Sequence, residues 1–165
     1  MNMNTLVMLL CVLSSLGCAP GRSERPPANR LVGAVEVDTC ALVTKEDAEA
    51  ILGQTVGDAH QGDLGGGTSC TYYTVSKGRG RDFGVLTVIV RPDAQTSVET
   101  FKLLASLKKT AKPVDGMGDY AYVSGNSIFV LKNKAEITLE TDGAFKKVSI
   151  KALTSVAKRV AGKFE

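Results

Sequence analysis

The chain has 165 residues, 20 of them Lys or Arg and 17 Asp or Glu, a formal net charge of +3. So mild a basic excess gives no argument for nucleic acid as a partner. One histidine and four cysteines leave little material for a metal or catalytic centre, and nothing in the sequence calls for a cofactor.

Residues 6–16 (LVMLLCVLSSL) form an almost uncharged run that stops at Gly17. As a helix it would be about 17 Å long, well short of the roughly 30 Å hydrocarbon layer. It therefore reads as a signal peptide, residues 1–17, and not as a spanning helix. Ser15, Leu16, Gly17 and Cys18 resemble the small-residue box of bacterial lipoprotein signals, in which the cysteine thiol takes a diacylglycerol before cleavage leaves it as the new amino terminus. The resemblance implies an exported protein held to a membrane by acyl chains on Cys18. Ala19 is not the Asp that retains a lipoprotein at the inner membrane, so in a Gram-negative cell it implies the outer membrane, and otherwise the outer face of the cell membrane. Cleavage after Ala19 is the alternative, but it would put Pro20 directly after the scissile bond.

Residues 18–35 carry Pro20, Pro26, Pro27, Arg22, Arg25 and Arg30 with few apolar residues, a composition that suits an extended tether. Residues 36–165, about 130 in all, suit one domain with one core. With Cys11 leaving in the signal and Cys18 taken by lipid, the exported domain keeps Cys40 and Cys70. An even pair outside the cytoplasm is most simply a disulfide. Closing a loop of about 30 residues contributes roughly 3 to 4 kcal/mol in the chain-entropy account.

The domain opens with a short helix over residues 45–53, where Thr44 and Asp47 stand at capping-box spacing, Gly53 supplies the stop, and Ala48, Ile51 and Leu52 face inward. A short strand at 54–56 leads into residues 57–67, a segment so rich in glycine that it reads as an irregular loop. Residues 69–75 and 83–91 read as paired strands about a polar turn at 76–82. The second is apolar on both alternating faces, which places it centrally under helices. Between 96 and 109, Val98, Phe101, Leu104, Ala105 and Leu107 recur at helical spacing, with Lys102, Lys108 and Lys109 outside. A meander follows at 120–124, 128–132 and 135–141, its last strand placing Ile137 and Leu139 in and Glu136, Thr138 and Glu140 out. The chain ends in an amphipathic helix over 150–163 with Leu153, Val156, Ala157, Val160 and Phe164 as its buried stripe. Its lysines, Lys147, Lys151, Lys158 and Lys163, lie on the solvated side. The expected fold is α+β: an antiparallel sheet of about five to six strands with two longer amphipathic helices and one short N-terminal helix packed on it.

Three stretches, DTCALVTKEDAEAILG, CTYY and VDGMGDYAYVSGNSIFVLKNKAEITLET, resemble small bacterial lipoproteins and extracytoplasmic sensor-like domains with C-x-L-L-T, C-T-Y and G-L-G-D-x-A motifs. The matching positions are Cys40, Leu42 and Thr44; Cys70, Thr71 and Tyr72; and Gly116, Gly118, Asp119 and Ala121, with Met117 where Leu is usual. The resemblance implies structural roles: the disulfide, the helix cap, and the start of a strand. It implies nothing about catalysis, and most such domains have no assigned function.

Candidate chemistry is sparse. The stretch Gly62 to Ser69 lacks the Lys of a phosphate loop and leads into a strand. His60 is the only candidate general base; with Ser69 and Asp63 nearby it carries the alternative of an envelope hydrolase, although a glycine loop preorganises a triad poorly. Asp58, Gln61 and Asp63 lack the spacing of a calcium loop. Tyr72, Tyr73, Tyr120 and Tyr122 are the candidate ligand or partner surface, since adjacent strands can gather them and neighbouring tyrosines point to opposite faces. The reading is a lipid-anchored binding or interaction module without catalysis, holding an envelope protein, peptide, glycan or small apolar ligand. A structural or assembly lipoprotein is the further alternative.

Overall fold

The computed structural model describes residues 37–75, 83–143 and 148–165. The expected signal peptide, Cys18, the expected tether, the expected turn at 76–82 and Lys147 lie outside the described residues. In chain order the elements are α1 (Thr39–Leu42), α2 (Lys45–Leu52), β1 (His60–Leu64), β2 (Gly67–Tyr73), β3 (Gly84–Arg91), α3 (Val98–Ser106), β4 (Lys112–Pro113), β5 (Tyr120–Ser124), β6 (Ser127–Lys132), β7 (Ala135–Gly143) and α4 (Ile150–Ala161). All seven strands join one antiparallel sheet in the order β1-β2-β3-β7-β6-β5-β4. The α+β expectation holds, with seven strands where five to six were expected.

The two additional strands are β1 and β4, while the strand expected at 54–56 shrinks to a single bridge between Val56 and Thr74. β1 lies in the segment read as an irregular loop. The two glycines between β1 and β2 explain it: Gly65 (φ 58°) and Gly66 (φ 80°) both take the left-handed conformation that a two-residue hairpin turn requires. Gly67 then opens β2 against the Val90 carbonyl, where a Cβ would collide with backbone. These glycines build a strand pair rather than interrupting one.

Strand alternation divides side chains between two faces. On the inner face the register row Cys70, Val88, Leu139 and Ile128 is wholly buried. It packs with α2 and α4, whose Ile51, Leu52, Leu153 and Val160 belong to the same core. The Cys40–Cys70 disulfide forms as expected, with the two Cα atoms 5.1 Å apart, and ties α1 to β2. Thr39 adds a hydroxyl contact of 2.5 Å to Thr68.

The predicted cap of α2 is present in both directions: the Asp47 amide donates to Thr44 Oγ1 (3.3 Å) and the Thr44 amide to Asp47 Oδ2 (2.8 Å). Gly53 ends the helix at φ 66°. Arg159 of α4 pairs with the same Asp47 carboxylate and joins the two helices. Burial alone would raise the Asp47 pKa, but hydrogen bonds from Arg159 and Thr44 outweigh it and hold the carboxyl below its ordinary value. Among the described residues no helix is long and apolar enough to cross a membrane.

Two side-chain expectations are corrected. Thr138 is buried, because its position on the outer face falls in the row between Ile89 and Phe129. α3 is shorter than expected and turns only Val98, Phe101 and Ala105 inward, so Leu104 and Leu107 are exposed. Lys102 and Lys108 in turn fold over the rings of Tyr120 and Phe129.

Candidate functional site

α3 packs on the outer face at one end of the sheet, seating Phe101 and Ala105 against Tyr122 of β5 and Leu131 of β6. The outer face of β1, β2, β3 and β7 is different. Register places His60, Thr71, Thr87 and Glu140 in one row across these strands, and Tyr73, Val85 and Asp142 in the next. His60, Tyr73, Glu140 and Asp142 are exposed; Thr71, Val85 and Thr87 are half-buried. β3 is central, as its two apolar faces predicted, yet the helices α1 and α2 cover it on the inner face only.

The rings converge at one corner. His60 meets Tyr73 edge to face with centroids 5.5 Å apart, and Tyr73 lies 5.9 Å from Phe83. Tyr73 is 42% exposed and Phe83 53%, so the two neighbouring rings make an apolar ledge, with Val75, also exposed, two residues beyond Tyr73. β1 forms the adjacent sheet edge, every residue of it exposed and paired on one side only, with β2. Arg91 secures this hairpin: its Nε donates to the Gly65 carbonyl (2.7 Å) and its Nη1 to Glu136 Oε1 (3.0 Å).

The four tyrosines are therefore not gathered. Tyr72 points inward, is 3% exposed, and donates its hydroxyl to the Val43 carbonyl at 2.7 Å. Burial raises its pKa, with Asp47 and Glu46 adding to the shift. Tyr122 is likewise buried, stacked on Phe129 with centroids 4.8 Å apart, and burial followed by Glu136 raises its pKa. Tyr120 packs beside it against Phe101. Only Tyr73 presents its ring freely, and its partners His60 and Phe83 were not part of the predicted tyrosine surface. The dipeptide Gly65-Gly66 was the signal that could have found them, because a two-residue turn sets His60 opposite Thr71, two residues from Tyr73.

The triad geometry is absent. Asp63 alternates to the face opposite His60, and the Ser69 hydroxyl donates to the Gly62 carbonyl at 3.0 Å. Asp58 approaches Lys45 instead of Asp63, and no group of three or more metal-ligating side chains occurs among the described residues. A shallow cavity of about 310 Å³ lies between the start of α3 and the β6–β7 turn, lined by Thr96, Ser97, Asp119 and Lys134 with Val98 and Leu131. Its size is at the low end for a ligand pocket; most of the surface lining it is apolar, with Ser97, Asp119 and Lys134 among its polar groups.

By its fold the protein is an α+β domain on a seven-stranded antiparallel sheet, stapled by one disulfide, with an aromatic ledge beside an exposed sheet edge. No protein-family model, no curated protein and no solved structure matches the chain.

Proposed function

We propose that the protein is a lipid-anchored envelope lipoprotein, a non-catalytic interaction module that holds an extended peptide segment of another envelope protein at the β1 edge. The observation that carries this reading is the pairing of an exposed edge strand with the His60, Tyr73 and Phe83 ledge. An incoming strand draws affinity from main-chain hydrogen bonds to β1, and its alternate side chains rest on the rings. Thr71, Thr87 and Glu140 continue the surface with hydroxyls and a carboxylate that can select register. The likeness to small bacterial lipoproteins at Ser15, Leu16, Gly17 and Cys18 supports the envelope location.

Photo-crosslinking in intact envelopes tests the binding surface. A crosslinking residue at Gln61 or Tyr73 is expected to capture a partner that Glu49→crosslinker on α2 does not, and Phe83→Ser should abolish the capture. Equal capture at all three positions overturns the reading. Cys18→Ser tests the anchor separately: the protein should move from the membrane fraction to the soluble one and lose incorporation of labelled palmitate.

A further inference from the structure

α3 turns Val98, Phe101 and Ala105 to the sheet, so Leu103 and Leu107, four residues apart, stand on the side away from it, with Leu104 on the flank. They are 60%, 72% and 45% exposed. A surface helix ordinarily carries polar side chains on that crest. Around the leucines stand Lys102, Lys108 and Lys109, and Lys112 follows in β4, against a single carboxylate on the helix, Glu99. Lys102 and Lys108 lie along the flanks, their ammonium groups 5.7 Å and 4.8 Å from the Tyr120 and Phe129 ring centres.

We infer that this crest is a second membrane contact, which inserts Leu103, Leu104 and Leu107 between the headgroups of an anionic bilayer while the exposed Lys109 and Lys112 meet the lipid phosphates. Three features select that occupant. The leucines form a convex ridge and not a groove, which suits a soft apolar layer better than a folded protein surface. The flanking charge is almost all positive, complementary to anionic headgroups. A second copy placed across a two-fold axis on the same ridge would set lysine against lysine. Lys102 and Lys108 turn their heads to the rings beneath α3, which leaves Lys109 and Lys112 as the cations available to the headgroups. α3 is held rigidly enough for this by Phe101 beneath it and by the Thr110–Ser124 hydroxyl contact of 2.9 Å after it. The inference draws on the envelope reading only in placing a bilayer within reach; its geometry is independent of Cys18.

The chain contains no tryptophan, so Leu107→Trp supplies a single reporter. In the full chain carrying Cys18→Ser, mixed with vesicles of phosphatidylglycerol and phosphatidylcholine, its emission should move to shorter wavelength and be quenched by acyl-brominated lipid. The shift should vanish with phosphatidylcholine alone. Lys109→Glu with Lys112→Glu should raise the lipid concentration it needs by at least about tenfold. Lys151→Trp on the exposed side of α4 should show no shift. If the chain floats with the vesicles while Leu107→Trp stays unshifted, another segment binds the bilayer and the ridge inference falls. If neither flotation nor shift occurs, the ridge inference falls and the anchor is then judged by palmitate labelling alone. A shift that grows with protein concentration in the absence of lipid assigns the ridge to a second copy and overturns the inference.

Discussion

On the inner face of the sheet the row Cys70, Val88, Leu139 and Ile128 is sealed from water, whereas one residue away on the shared strands β2, β3 and β7 the outer row runs His60, Thr71, Thr87 and Glu140. The same backbone positions both, and neighbouring residues such as Tyr72 and Tyr73 fall into opposite worlds: one hydrogen-bonded to Val43 and buried, the other meeting His60 edge to face at the surface. The comparison teaches that strand alternation separates the face that holds the fold together from the face proposed for recognition. Packing on one face leaves the other free to present rings, hydroxyls and carboxylates. At the far end of the outer face α3 removes that freedom by covering Tyr122 and Leu131.

Substitutions that strike the two faces separately test this division. Leu139→Ala should cost about 3 kcal/mol or more in urea unfolding, through lost burial and an unfilled cavity, whereas Thr87→Ala should stay within about 0.5 kcal/mol. Comparable losses would break the comparison. Replacing Cys40 and Cys70 together by Ala should cost about 3 kcal/mol, read as a lower urea midpoint, while partner capture persists wherever the domain remains folded.

Tyr72→Phe and Tyr73→Phe sharpen the contrast at adjacent residues. The first leaves the Val43 carbonyl without its buried donor and should cost about 1 to 2 kcal/mol; the second should leave the urea midpoint unchanged.

Asp47→Asn should cost about 1 kcal/mol at neutral pH, from loss of the charge that pairs with Arg159 and strengthens the contact with the Thr44 amide. Because the folded-state pKa of Asp47 lies below its ordinary 3.8, its contribution is complete above that value and is lost as pH falls through the folded pKa. Wild type and variant should therefore converge in stability in acid, and urea midpoints measured across that range check it.

Much of the fold was legible. The capping box at Thr44, the apolar stripe of α4, the central position of β3 and the meander of β5, β6 and β7 all follow from local periodicity and capping chemistry. The pairing of Cys40 with Cys70 followed from counting cysteines. β1 was not legible as a strand because its residues are polar and wholly exposed, so no apolar alternation marks it; only pairing with β2 makes it one. α1, a single turn of four residues, and β4, of two, are too short for any period to register.

Residue pattern alone therefore determined which segments are amphipathic and where α2 begins and ends, since each depends on near neighbours along the chain. Only the tertiary structure decided which side of the sheet each tyrosine serves and which leucines of α3 are buried. It alone brought His60, Tyr73 and Phe83 into one ledge. Those outcomes turn on hairpin register and on where one helix lands on a sheet, and both are set by contacts between residues far apart in sequence.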